Sequence, residues 1–171
     1  MGAKSSVKEN VKNAKAIRKA LGGLVTDGLV PFNVGENGGC LLKLGLVEVR
    51  REPLDGKASE TAHYEADVEA LKHVLEAAVA DEEIGGKSRR LLWAVLPLSA
   101  ELVGEPIKKR RTVAGKELRP GKKPVTAGTI RNYYEPKALD KLAGVLWRME
   151  LEFRAKQTSS DGPADSEGSD S

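Results

Sequence analysis

Two stretches of this chain carry apolar residues at intervals of three and four: Tyr64, Val68, Leu71, Leu75, Ala78 and Val79 in one, Leu139, Leu142, Leu146, Met149 and Phe153 in the other. That period puts each set on one side of an α-helix and conflicts with the two-residue alternation of a half-buried strand. Only 4% of the residues are aromatic while 40% are apolar, so the core must be assembled from Leu, Val, Ile and Ala, which helices do readily. The expected fold is mainly α: a multi-helix domain with a helix-turn-helix-like C-terminal half and a disordered acidic tail.

Glycine and proline divide the chain. Ser6-Val7-Lys8-Glu9 reads as a capping box opening a helix over 6–21, with Val7, Val11, Ala14, Ile17 and Leu21 on its apolar side and Gly22-Gly23 as its stop. The stretch from Gly22 to Gly39 is loop-rich, with Asp27-Gly28, Pro31 and Asn37-Gly38-Gly39 as punctuation; Cys40–Arg51 leans to short helix interrupted at Gly45, and Pro53–Ser59 is a turn. Helices follow over 60–80, over 88–96 with Ser88 as cap and Pro97 as stop, over 105–118 with Pro106 at the first position, and over 136–155 opened by Pro136. Trp93 and Trp147 lie on or beside apolar stripes and are expected to be buried. The implied organisation is a flexible 1–5, an N-terminal helical subdomain over 6–84, a basic helical subdomain over 85–156 and an acidic tail over 157–171.

Charge is sorted along the chain. From Lys87 to Lys123 eleven basic residues stand against Glu101, Glu105 and Glu117, so this block carries +8 of a whole-chain net charge of +3. A polyanion or an acidic protein surface is its natural counterpart. Gln157–Ser171 holds Asp161, Asp165, Glu167 and Asp170 among small polar residues with nothing to bury. No apolar run reaches the ~20 residues of a membrane span. With a single cysteine, Cys40, and no secretory apolar segment at the start, the expected compartment is the cytoplasm. Met1–Ser6 also satisfies the N-myristoylation pattern at Gly2, which competes with the capping-box reading and ranks below it.

Catalytic and cofactor motifs fail on position. Gly35–Gly39 lacks the Lys-Ser/Thr ending of a phosphate loop. Gly85-Gly86-Lys87-Ser88 has that ending, but Asp81 stands where the leading glycine belongs, after an acidic helix rather than a strand. His63 and His73 are ten apart with no third ligand at metal spacing, and Cys40 has no base close in sequence. The expectation is a non-enzymatic protein without metal or cofactor.

The region 105–135 carries the functional expectation. Lys108, Lys109, Arg110 and Arg111 cover a full helical turn, so one must point inward; Arg111, four past Ile107 and three before Ala114, fits that role with its stem on the core. The connector from Arg119 to Gly128 holds Lys122 and Lys123, and Thr129 is read as the cap of a short helix over Ile130–Glu135. Basic helix, turn, then a short helix exposing Arg131 and Asn132 is the order of a helix-turn-helix, in which Arg suits guanine and Asn suits adenine. Lys108, Lys109, Arg110, Arg119, Lys122, Lys123, Arg131 and Asn132 are the expected DNA-contacting residues. The alternative is an adaptor that docks an acidic protein on the basic quartet, or a partner on the acidic face of helix 60–80.

Arg90-Leu91-Leu92, the Lys109-Arg110-Arg111 cluster before an Ala-containing helix, and Gly128-Thr129-Ile130-Arg131-Asn132-Tyr133-Tyr134-Glu135-Pro136-Lys137-Ala138-Leu139 with Leu142-Ala143 resemble a helical, helix-turn-helix-like module common in actinobacterial proteins. The similarity extends to Ala14–Leu21 and the Val68–Val79 helix. It implies a regulatory, signalling or phage-defence setting, and it brings no catalytic residues. The Arg119–Val125 stretch departs from that pattern, since a tight helix-turn-helix uses a turn of about 3–4 residues.

Overall fold

The computed structural model describes residues 2–160, and among them there is helix, turn and loop but no strand. The order is α1 (Gly2–Asp27), α2 (Pro31–Asn37), α3 (Gly39–Leu42), α4 (Gly45–Glu48), α5 (Glu60–Val79), a 3-10 turn at Glu82–Ile84, α6 (Gly86–Val95), a second such turn at Ala100–Leu102, α7 (Ile107–Leu118), α8 (Ala127–Thr129), a π-helical turn at Ile130–Tyr134 and α9 (Glu135–Ser160). One apolar core runs from Ile17, Leu21 and Leu24 on α1 through Leu71, Leu75 and Val79 on α5 and Leu91, Leu92 and Val95 on α6 to Leu139, Leu142 and Leu146 on α9. Trp147 belongs to this core and donates Nε1 to Asn10 at 3.3 Å, whereas Trp93 is half-buried at its margin.

Several expected boundaries move, each for a local reason. α1 begins at Gly2, so Ser6 is inside the helix rather than its cap and Gly2–Ser5 are helical. Gly22-Gly23 does not stop it: each glycine costs about 1 kcal/mol of propensity, and the burial of Leu21, Leu24 and Val25 outweighs that. The stop is Gly28, whose φ of 90° only glycine adopts freely and whose amide donates to the Leu24 carbonyl at 2.7 Å. α6 begins at Gly86 after Gly85, which leaves Ser88 within its first turn rather than capping it. Pro106 is the N-cap of α7, one position earlier than expected. α9 continues to Ser160, so Gln157–Ser160 are helical; the rest of the expected tail, and Met1, lie outside the described residues.

Between α1 and α5 the chain forms short helices: α2 lies in the stretch expected to be loop, and α3 and α4 are divided at Lys43-Leu44, so that Gly45 opens α4 rather than interrupting a helix. Helices this short leave nearly all their polar backbone groups without internal partners. Distant charged side chains supply them. The Glu150 carboxylate, 1% exposed, accepts from the amides of Gly45 at 3.1 Å and Leu46 at 3.2 Å, so a residue of α9 caps the start of α4. Arg154 completes it at 2.7 Å. Arg51 donates to the Leu42 carbonyl that ends α3, and Arg89 donates to the Val79 and Ala80 carbonyls that end α5. Cations at helix C-termini satisfy orphan carbonyls and oppose the negative end of the macrodipole.

Candidate nucleic-acid interface

The basic quartet lies at the start of α7, and its members divide sharply. At about 100° per residue, Ile107, Ala114 and Leu118 define the inner side, and Lys108, Thr112, Lys116 and Lys109 share an outer arc of roughly 100°. Arg110, not Arg111, is the buried member: it is 2% exposed. Its guanidinium donates to the carbonyls of Glu105 at 2.9 Å and Thr26 at 3.4 Å and to that of Val95. Thr26 lies in the last turn of α1 and Val95 ends α6, so Arg110 closes two helix C-termini at once. Burial, and then the neighbouring Arg111, lower its pKa from the ordinary arginine value, and Glu135 and Asp27 oppose the shift. A phosphate cannot reach it, and Arg110 leaves the set of expected DNA contacts.

Arg111 is also engaged. Its Nε and one terminal nitrogen each lie 2.8 Å from a carboxylate oxygen of Glu135, a two-pronged pair in which both side chains are largely buried. This pair fixes the start of α9 against α7. Lys109 holds Glu105 at 2.7 Å across one turn, in an exposed and therefore weak pair.

The connector after α7 is strapped to the helix it leaves. Gly121 turns it with a φ of 71°, and the Val125 amide then donates to the Gly115 carbonyl at 3.1 Å. A Cβ on Gly115 would stand 2.0 Å from the Val125 oxygen, so glycine is what lets the strap cross. Thr126, rather than Thr129, is the cap of the next helix: its hydroxyl oxygen accepts the Thr129 amide at 3.2 Å. Lys108 sits three residues before Arg111 and seven before Gly115, so the outer arc of α7 borders the side on which the strap and the start of α9 lie.

Helix then runs from Ala127 to Ser160 without a break, and the expected separate helix over Ile130–Glu135 is its wide turn. The cause is Pro136, which has no N–H to give and whose ring would crowd the carbonyl four residues back. The turn before it widens so that the Glu135 amide bonds to Ile130, five residues back. Three consecutive residues, Arg131, Asn132 and Tyr133, are left facing solvent between buried Ile130 and buried Glu135. Lys137 lies over the Tyr133 ring at 3.8 Å from its centre, and Tyr134 meets that ring edge-on at 5.0 Å. The Lys137 ammonium lowers the pKa of the Tyr133 phenol.

Lys108, Lys109, Arg119, Lys122, Lys123, Arg131 and Asn132 are thus all exposed on α7, the strap and the wide turn. Of these, only Lys109 has an ion pair among the described residues. Two residues join them: Lys116, at helical spacing from Lys108 and Thr112, and Tyr133, which is 53% exposed. The spacing of Lys116 was readable from the sequence, but the outward turn of Tyr133 depends on the widening forced by Pro136. No cluster of three His, Cys, Asp or Glu able to hold a metal occurs among the described residues, and none of their helices is long and apolar enough to cross a membrane. His73 pairs with Glu76 in an exposed contact, and Cys40 is a free, exposed thiol whose pKa is raised by partial burial. No family model, curated protein or solved structure matches the chain.

Proposed function

We propose that this chain is a non-enzymatic DNA-binding regulatory protein. Its contact surface is the outer arc of α7, the strap and the wide turn, arranged like a helix-turn-helix whose second helix is the start of the α8–α9 rod. One observation carries the reading: among the described residues the cations of this surface have a single ion pair, Lys109 with Glu105, while the arginines beneath it are fully engaged. Unmatched cations side by side repel one another, and a phosphate backbone relieves that repulsion. Lys108, Lys109, Lys116, Arg119, Lys122 and Lys123 take phosphates. Arg131 and Asn132, exposed within the first turns after the Thr126 cap, stand where such elements meet base edges, and Tyr133 offers a ring beside them.

The test is recovery of bound genomic fragments at physiological salt with wild type, Lys109→Ala and Asn132→Ala. An enriched sequence is expected with wild type. Lys109→Ala weakens all duplexes alike, and Asn132→Ala erases discrimination at a cost of roughly 1–3 kcal/mol on the preferred site. The competing reading is an adaptor that docks a protein on the groove lined by Arg90, Trp93, Leu102 and Val113, which leaves Trp93 half-buried. Recovery of a nuclease-resistant protein complex with no enriched DNA would select it.

A further inference from the structure

The connector after α7 meets the start of α6 at a cleft lined by Lys87, Leu118, Arg119, Pro120 and Lys122, with a volume of 460 Å³. Three cations from two separate elements converge there, and no carboxylate is among the lining residues. Two other grooves differ in containing acids: the one at Arg90 has Glu101 and Glu117, and the one at Arg50 has Glu52, Glu65 and Glu69. The groove at Cys40 also lacks a carboxylate, but it holds two cations rather than three, Lys43 and Arg154, and Arg154 is already paired with Glu150. None of Lys87, Arg119 and Lys122 takes part in an ion pair among the described residues. Three like charges facing one cleft cost free energy that no ion pair among the described residues returns, and an anion with several oxygens would return it.

Two features of α6 strengthen this. Its cap, Gly85, supplies no side-chain acceptor, and its first turn holds no acid, so no group of α6 itself opposes the positive end of this ten-residue helix beside Lys87. Side chains added at Gly85 or Gly86 would meet nothing within 4 Å, so the approach to the helix start is open. Arg119 can engage two oxygens of one phosphate through its planar fork, while the lysines act as point charges.

We infer that this cleft is a phosphate-binding site, held by Lys87, Arg119 and Lys122. It rests on the proposed DNA reading only for the source of its phosphate: on a duplex it takes a backbone phosphate beyond the footprint of α7, and in the absence of DNA it takes the phosphate of a small phosphorylated ligand. Lys87 is the diagnostic residue, because it sits outside the region 105–135.

The experiment has two arms, each run with wild type, Lys87→Gln and Lys109→Gln. In the first, inorganic tripolyphosphate is titrated into the full chain and backbone amide shifts are followed by NMR. Shifts centred on Gly86, Lys87 and Lys122 are expected, reduced at least fivefold in Lys87→Gln and retained in Lys109→Gln. In the second, duplex affinity is measured against salt. Lys87→Gln is expected to bind roughly three- to tenfold more weakly at ~0.1 M salt, with a slope flattened by about one counterion. Localised tripolyphosphate shifts without duplex binding keep the site and assign it a small phosphorylated ligand, and the DNA reading then fails alone. Duplex binding that Lys109→Gln weakens and Lys87→Gln does not, with no localised shifts, overturns the cleft and leaves the DNA reading standing. Absence of both effects overturns both.

Discussion

The middle of α9 and the outer edge of α7 carry comparable densities of charge and use it in opposite ways. On α9, Arg148 meets Asp81 at 2.6 Å, Glu83 at 3.4 Å and Glu152 at 3.2 Å, while Glu150 is consumed by two backbone amides and Arg154. On α7 and its strap the lysines and Arg119 face solvent, with a single exposed pair among the described residues, between Lys109 and Glu105. The same division runs through the quartet itself. Arg110 and Arg111 are turned to carbonyls and to Glu135, and Lys108 and Lys109 are turned out. A guanidinium can satisfy several acceptors in fixed geometry, whereas an ammonium is a strongly hydrated point charge, which suits one to helix ends in the core and the other to a surface meeting phosphates. Net charge along the sequence therefore overstates the charge available to a partner.

The largest expected effect breaks the inner side. Arg110→Ala leaves three carbonyls without their donor and a cavity where α1, α6 and α7 meet; a loss of about 3–5 kcal/mol is expected in denaturant unfolding. Lys108→Ala, two residues away, should stay within about 0.5 kcal/mol of wild type in the same assay. Next comes Glu135→Ala, which strands the largely buried Arg111 and should cost about 3 kcal/mol; a double-mutant cycle with Arg111→Ala should return a coupling above about 1 kcal/mol. Gly115→Ala pushes a methyl into the Val125 carbonyl, with an expected loss of about 1–3 kcal/mol and displaced amide resonances in the strap. Equal costs for Arg110→Ala and Lys108→Ala would erase the inner–outer division.

The smallest expected effect is one of pH. Hydrogen bonding to Arg148, helped by the Glu83 amide, holds the Asp81 carboxyl below its ordinary value of 3.8. A depressed carboxylate contributes stability that is fully present above the unfolded pKa and is lost as pH falls through the folded pKa. The stability difference between wild type and Asp81→Asn should therefore be constant above about pH 5 and shrink below about pH 4. A difference independent of pH down to acid unfolding would remove Asp81 from the charged framework.

The long helices were legible because their apolar stripes repeat at helical spacing, and α5 in particular begins and ends within a residue of expectation, with Ser59 as its cap. Two things were not legible. The interior choice between Arg110 and Arg111 depends on where the last carbonyls of α1 and α6 fall, which is a tertiary fact; from α7 alone, Arg111 is as close to the apolar side as Arg110. The continuity of the last helix through Pro136 was hidden because proline ordinarily starts or breaks a helix, and the wide turn that admits it is rare. The exposed members of the expected site were legible from charge and spacing. Within α7 the pairing was legible too, since Lys109 alone has an acid four residues away, Glu105, where Lys108 has Gly104 and Thr112 and Lys116 has Thr112 and Pro120; which distant carboxylates come near them was not.

The central claim is that outward cations are held for a partner and inward ones for the fold. Its most direct measurement is duplex affinity against salt, paired with thermal melting, for Lys108→Gln/Lys122→Gln/Lys123→Gln and for Arg110→Gln. The triple variant is predicted to melt with wild type, to lose well over tenfold in affinity and to flatten the salt slope by about 2.7, while Arg110→Gln melts several degrees lower. A triple variant with unchanged affinity and slope, or one less stable than Arg110→Gln, would contradict the claim.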